Sequence, residues 1–172
     1  MRDELVSGIM KRIALGFVTL VLLAGLSGPA LAAPPLHKTS GGGTFVLLPT
    51  PFVTGTLSFS AQQLDQENNA RGHFTLQDRP VGYPANSLAA DIVYMKTEGN
   101  IARAAGVITR STFVEGCWPG QGFILIVKDA SPDEVGYGCS PDVATAIMVV
   151  EQPDHLYDPP WLTITHGNVK VS

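Results

Sequence analysis

The residues best suited to catalysis or metal binding lie near the C-terminus, where histidines and carboxylates surround a short aromatic segment. Asp154, His155 and Asp158 lie before or within this segment, and His166 follows it. Imidazole and carboxylate groups bind metal ions, and histidine titrates near neutral pH. The spacing is not diagnostic of a ligand set. These residues are therefore weak candidates for a metal or acid–base site, and solvated loop residues are the competing interpretation.

Aromatic residues outside the expected strands are candidates for ligand binding. Trp118 lies beside Pro119, and Tyr157 and Trp161 flank a pair of prolines. Exposed flat rings often mark binding surfaces, and such rings suit sugars or proline-rich peptides. Structural roles compete with this hypothesis, because Trp118 can cover a disulfide and Trp161 can fill one end of a barrel.

A second group of carboxylates follows the most apolar segment of the chain. It comprises Asp129, Asp133, Glu134 and Asp142. Calcium binds oxygen-rich loops of this kind, but the spacing does not match an EF-hand. A solvated acidic turn is the alternative interpretation. No motif in the chain implies a bound cofactor.

Motifs of the common enzyme classes are missing from the sequence. The chain has no G-x-S-x-G, H-E-x-x-H, G-x-x-x-x-G-K-[ST], complete G-x-G-x-x-G or C-x-x-C motif. Catalytic residues can meet in space without a sequence motif, so a small hydrolase stays open as an alternative. No catalytic residue is assigned. The leading hypothesis is a non-catalytic module for binding or surface assembly.

The sequence contains two cysteines, Cys117 and Cys139, each among turn-forming residues. An even pair in an exported protein is typical of one disulfide. Closure of the intervening loop would stabilise the fold by about 3 kcal/mol. A zinc site would need more ligands at short spacing, and a thiol nucleophile would need a nearby base. We predict a disulfide.

The N-terminal segment has the three-part pattern of a secretory signal peptide. Two basic residues precede an uncharged apolar run over residues 13–26, and Ala30-Leu31-Ala32 provides an A-x-A cleavage site. The run is shorter than the about 20 residues of a membrane span. We predict a signal-peptide helix within residues 1–32, and two acidic residues near the beginning favour Met10 as the start. The processed chain is expected to be secreted or periplasmic, without a membrane span.

Length and charge limit the remaining possibilities. The part of the 172-residue chain after residue 32 is long enough for one domain and short for two. The net charge is −4, and the lysines and arginines are scattered singly along the sequence. A nucleic-acid-binding protein needs a clustered basic face, so we expect no nucleic-acid partner. A glycan, a peptide or a small apolar ligand fits better.

Alternation of apolar and polar residues predicts short strands separated by turns. The expected strands are 44–48, 55–64, 72–77, a hairpin of 91–98 and 101–109 around Gly99-Asn100, 121–129, 143–151, and a terminal hairpin of 161–165 and 169–171. Residues 121–129 are apolar enough to be covered on both faces. Residues 143–151 fit a strand or a short helix, and their β-branched residues favour a strand.

We therefore predict an all-β fold, an antiparallel barrel or sandwich of about eight or nine short strands. The single domain is expected over residues 44–172, after a flexible lead-in at residues 33–43. A barrel interior also leaves open a carrier of small ligands, because the interiors of larger barrels enclose cavities.

Several strand and turn segments together resemble a loose group of small exported bacterial proteins with no established function. They are Leu57-Ser58-Phe59-Ser60-Ala61, Gly99-Asn100-Ile101-Ala102, Gly106-Val107-Ile108, Gly120-Gln121-Gly122-Phe123 and Gly167-Asn168-Val169-Lys170-Val171. The resemblance implies a β-domain with a leader. It also implies that the strand after Phe123 leads into a polar loop, here residues 129–142. It implies no activity.

Overall fold

The computed structural model describes residues 35–49, 52–113, 116–152 and 161–172. These residues form nine strands and one helix. The strands are β1 (His37–Pro49), β2 (Phe52–Gln63), β3 (Asn69–Pro80), β4 (Asn86–Glu98), β5 (Ile101–Ser111), β6 (Gly122–Lys128), β7 (Glu134–Ser140), β8 (Leu162–Thr163) and β9 (His166–Val171), and the helix is α1 (Val143–Glu151). The predicted signal peptide lies outside the described residues.

All nine strands belong to one antiparallel sheet with the order β8-β7-β6-β5-β4-β3-β2-β1-β9. From β1 to β8, neighbours in the chain are neighbours in the sheet, and β9 returns to pair with β1. The sheet curls into a half-barrel. The predicted all-β class and the number of strands are confirmed, and the strands form one curled sheet.

The inner face of the curled sheet carries the main hydrophobic core. Alternate residues of a strand point to opposite faces, so every second side chain enters this core. Phe45, Phe74 and Phe123 are fully buried there, and the ring centroids of Phe74 and Phe123 lie 4.4 Å apart. The Phe45 ring lies over Gly55 on β2, where a Cβ atom would overlap it. The interior of the half-barrel is thus filled by side chains.

Helix α1 replaces the strand that the sequence predicts for residues 143–151. Asp142 caps the helix, since its carboxylate accepts a hydrogen bond from the Thr145 amide at 2.7 Å. The helix packs on the outer face of β4–β6 through Ala146, Val149 and Val150, which contact a cluster containing Tyr94, Ala105, Ile124 and Ile126. Strand β6 is therefore buried on both faces, as predicted. Within the described ranges, no helix is long and apolar enough to cross a bilayer.

The first strand begins earlier than the sequence predicts. Residues 37–43, expected in a flexible lead-in, form the first half of β1 between β2 and β9. Glycine makes this close packing possible. At Gly41 and Gly43 a Cβ atom would collide with the carbonyl oxygens of Asn168 and His166 on β9.

The prediction of a hairpin at residues 161–171 is wrong. Strand β8 pairs with β7, and β9 pairs with β1, so the two segments extend opposite edges of the sheet. Residues 164–165 connect the edges. The Ile164 amide donates to the Asp133 carbonyl at 2.9 Å, and the Thr165 amide donates to the Thr44 carbonyl at 2.8 Å. The expected turn at residues 166–168 is the beginning of β9.

The polar loop expected at residues 129–142 contains strand β7. Val135, Tyr137 and Cys139 of this strand pack against the main core. Glycines at positions 136 and 138 lower the intrinsic preference of the segment for a strand, which hides it from a pattern-based prediction. Pairing with β6 along its full length compensates for this low preference.

Candidate functional site

The predicted disulfide is present. Cys117 and Cys139 are bonded, with their Cα atoms 5.6 Å apart and a separation of 22 positions in sequence. The bond links the loop between β5 and β6 to strand β7. The loop that carries Trp118 is therefore anchored to the sheet by a covalent bond.

Trp118 and Trp161 are both exposed, but the structure does not bring them together. Trp118 is 54% exposed. Trp161 is 37% exposed, and its ring centroid lies 6.0 Å from the Lys128 Nζ atom. Trp118 precedes the first residue of β6, whereas Lys128 is its last residue. The tryptophans thus lie at opposite ends of β6, and Tyr157 lies outside the described residues.

The weak metal or acid–base candidates do not form a described site. Asp154, His155 and Asp158 lie outside the described residues. His166 is exposed at the beginning of β9, opposite Thr44 of β1. Among the residues that the structure describes, no three histidine, cysteine, aspartate or glutamate side chains form a group suited to a metal ion.

Two carboxylates of the acidic group after β6, Asp133 and Asp129, connect parts of the sheet. Asp133 is 9% exposed, and its carboxylate accepts hydrogen bonds from the amides of Ala130 at 3.0 Å and Val169 at 2.7 Å. Asp129 accepts a hydrogen bond from the Val171 amide at 3.3 Å. These carboxylates hold the edge of β9 that faces away from β1. The oxygens of Asp129 and Asp133 therefore accept hydrogen bonds from backbone amides, whereas Glu134 pairs with Lys128 and Asp142 caps α1.

A polar surface covers the outer side of β9, β1, β2, β3 and β4. We call it the polar face, and it includes Arg110 and Thr112 at the adjoining end of β5. Its side chains line up in cross-strand rows. One row contains Lys38, Gln62 and Arg71. A second contains Lys170, Ser40, Ser60, His73 and Asp91, and a third contains His166, Thr44, Thr56, Gln77 and Ser87. His166 therefore belongs to an array of hydroxyl and amide groups.

A groove of about 470 Å³ lies at the border of the polar face, where β3, β4 and β5 meet. Its lining is mostly apolar and includes Leu76, Leu88, Ala89 and Pro119, and the Arg110 side chain and the hydroxyl groups of Thr75, Ser87 and Thr112 contribute its polar part. The Thr112 hydroxyl accepts a hydrogen bond from the Ser87 amide at 2.7 Å, which fixes one wall. Pro119 belongs to the disulfide-anchored loop, directly after Trp118.

A second hollow of about 380 Å³ shares Thr112 with this groove. Tyr83, Pro84 and Asn86 line it at the turn between β3 and β4. Tyr83 is 73% exposed. The groove and the hollow thus adjoin at Thr112, with the exposed Tyr83 ring in the hollow. Trp118 lines neither of them, but it directly precedes Pro119 of the groove. We call the groove and the hollow together the binding groove.

Sequence reasoning identifies Trp118 as a candidate but misses Tyr83 and the hydroxyl wall. A signal for Tyr83 exists, since it lies between Gly82 and Pro84 in a turn, where a large aromatic side chain has no strand neighbours to cover it. The wall has no local signal. Thr75 and Ala89 become neighbours of Arg110 only through the strand register.

No protein-family model, no curated protein and no solved structure matches this chain. The function is therefore inferred from the geometry of the chain itself.

Proposed function

We propose that this protein is a non-catalytic binding module that acts outside the cytoplasm and holds a glycan in the binding groove. The observation that supports the proposal is the presence of hydroxyl groups and Arg110 along the groove, with the exposed Tyr83 ring in the adjoining hollow and the exposed Trp118 next to Pro119. Sugar hydroxyls need many donors and acceptors, and the apolar faces of sugars pack against aromatic rings. The groove and its surroundings offer both kinds of contact.

The scaffold of the groove supports this role. Two of its walls are backbone-paired strands, and the third is the loop that the Cys117–Cys139 disulfide anchors. The Trp118 amide also donates to the Gln121 side-chain oxygen at 2.7 Å. A rigid site loses little conformational entropy on binding, which raises affinity. Such a site suits a module that recognises a ligand and does not transform it.

The two alternative functions gain less support. A carrier needs an enclosed interior cavity, whereas the inner face of the half-barrel is occupied by buried aromatic and aliphatic side chains. A hydrolase needs converging polar groups, and its sequence candidates Asp154 and His155 lie outside the described residues. The disulfide is compatible with a periplasmic or extracellular location, where thiol pairs remain oxidised. Export through the predicted signal peptide belongs to the same proposal.

Replacement of Trp118 by alanine is expected to weaken glycan binding by about tenfold, because truncating an aromatic anchor typically costs more than about 1 kcal/mol. Tyr83→Ala is expected to weaken it by a similar factor. Calorimetric titration with a soluble neutral glucan, a mannan and a polyuronate measures the affinity of each variant. Circular dichroism verifies that the variants remain folded.

Trp161→Ala is the matched control, since it removes an exposed tryptophan at the far end of β6. This variant should bind the glycan as the unaltered chain does. The proposal is wrong if none of the three polysaccharides binds, or if Trp161→Ala and Trp118→Ala reduce affinity equally.

A further inference from the structure

Positive charge is distributed unevenly over the described surface. Five lysines and arginines lie on the polar face, namely Lys38, Arg71, Arg79, Arg110 and Lys170. The other three in the described ranges are Lys96, Arg103 and Lys128. Carboxylates show the opposite distribution. Among the acidic residues in the described part of the chain, Asp91 alone lies on the polar face. A chain with a net charge of −4 thus presents a cationic side.

The strand register gathers cations that are distant in sequence. Lys38 on β1 and Arg71 on β3 lie in one row with Gln62 between them. Neighbouring strands are about 4.8 Å apart, which places the backbones of these two residues about 10 Å from each other. Lys170 on β9 lies in the next row, opposite Ser40. The interpretation that the basic residues are scattered is therefore true of the sequence and not of the surface.

The lysines away from the polar face are neutralised by neighbours. Lys96 forms an ion pair with Glu98 at 2.6 Å, and Lys128 forms one with Glu134 at 2.8 Å. On the polar face, Arg79 donates to the neutral side chain of Gln77 at 3.2 Å. Within the described ranges, no ion pair joins Lys38, Arg71 or Lys170 to a carboxylate. Their positive charge is available to an external partner.

Hydroxyl and amide groups occupy the positions between these cations. Ser58 and Thr75, for example, form a hydrogen bond of 2.8 Å between β2 and β3 in the middle of the face. A complementary ligand must therefore present anionic groups separated by hydroxyl groups. An acidic polysaccharide has this composition. A lipid surface would favour apolar residues beside the cations. A single nucleic-acid strand would favour aromatic rings between the cations, whereas Tyr83 and Trp118 lie outside the rows that contain Lys38, Arg71 and Lys170.

We propose that the ligand of this module is an anionic polysaccharide, which occupies the binding groove and extends across the polar face. This inference rests on the proposed function and adds the charge of the ligand to it. Arg110 links the two areas, since it lines the groove and lies in one row with Thr75 and Ala89 of the polar face. The cations attract the charged groups of the chain, and the groove holds one segment of it.

The test compares polygalacturonate with neutral dextran by calorimetric titration of the full chain at about 20 mM and about 500 mM salt. Polygalacturonate should bind at least about tenfold more tightly than dextran at low salt, and most of this preference should disappear at high salt, where charges are screened beyond about 4 Å. The double variant Lys38→Gln/Arg71→Gln should weaken polygalacturonate binding by about tenfold and leave dextran binding unchanged.

The matched control is Lys96→Gln/Lys128→Gln, which removes the same charge away from the polar face and should leave both affinities unchanged. Equal, salt-independent binding of both polysaccharides overturns this inference and leaves the proposed function intact. Absence of binding to either polysaccharide, with no binding to a mannan, overturns both. Tighter binding of single-stranded DNA or of anionic phospholipid vesicles than of polygalacturonate also overturns the inference, because the cations would then serve a different polyanion.

Discussion

Replacement of Asp133 by alanine is expected to lower the free energy of unfolding by about 4 kcal/mol. The carboxylate accepts hydrogen bonds from the amides of Ala130 and Val169, at 3.0 and 2.7 Å. Val169 is 1% exposed. In the alanine variant its amide would therefore lose its hydrogen-bond partner at a position that water does not reach. A hydrogen bond to a charged group contributes about 1.5 to 3 kcal/mol, and an unsatisfied buried donor adds its own desolvation cost. Guanidinium-induced unfolding measures the change.

Asp142→Ala is the control for this prediction. It removes an exposed carboxylate that caps α1, and it should cost only about 1 kcal/mol. Asp133→Asn retains one acceptor oxygen and should fall between the two alanine variants. A loss below about 1 kcal/mol for Asp133→Ala would show that the carboxylate does not hold β9 in place.

Replacement of Asp78 by asparagine is expected to stabilise the protein by about 3 kcal/mol at about pH 8 and to have little effect at about pH 4. Asp78 is 5% exposed on the core-facing side of β3, and its Oδ1 atom has no hydrogen-bond partner within the described residues. Burial raises the pKa of this carboxyl group from 3.8 to about 6. Asparagine has nearly the same shape and no charge to bury.

The direction of the pH dependence follows from the raised pKa. The folded chain binds the Asp78 proton more tightly than the unfolded chain does. The contribution of Asp78 to stability is therefore complete below about pH 4 and is lost as the pH rises through about 6. Unfolding by urea across this range measures the loss. The Asp78→Asn variant should lack this component, the exposed control Asp91→Asn should retain it, and parallel profiles for Asp78→Asn and the unaltered chain would contradict the prediction.

The neighbourhood of Asp78 explains why this charge is unfavourable in the folded state. Tyr137 packs near Asp78. Its ring centroid lies 6.1 Å from that of Phe45 and 6.0 Å from that of Phe74. Burial, and secondarily the charge of Asp78, raise the pKa of the Tyr137 hydroxyl. Both groups therefore favour their uncharged forms at this aromatic end of the core. The strand predicted from the sequence ends at residue 77, so the pattern does not place Asp78 in the core, where the longer β3 puts it.

Local pattern is sufficient to predict some elements of the fold. The hairpin of β4 and β5 depends on Gly99, which has a φ of 61° in the turn, and on flanking strands with an apolar side. Strand β6 is recognisable because nearly all its residues are apolar. The disulfide follows from the presence of two cysteines in the sequence, one in the loop before β6 and one in β7. In each case the determining residues are close in sequence or are of a rare type.

Other features depend on tertiary contacts that sequence pattern does not contain. Residues 143–151 have β-branched side chains, yet they form α1 because the outer face of β5 and β6 is apolar and needs a cover. Likewise, β9 forms because the curl of the sheet leaves the edge of β1 open beside it. The residues of the binding groove and the polar face come together only through the register of strands that are dozens of residues apart in sequence. No local pattern in the sequence therefore shows that they are neighbours.

The pairing of β1 with β9 has a consequence for the order of events during synthesis. Thr39 donates a hydrogen bond to the carbonyl of Lys170, 131 residues later, and Lys38 exchanges backbone hydrogen bonds with Ser172. A polypeptide emerging N-terminus first from a ribosome therefore keeps one side of β1 unpaired until residues 166–171 have emerged. The ladder that joins β1 to β9 is thus the last of the described strand pairings to become available during synthesis.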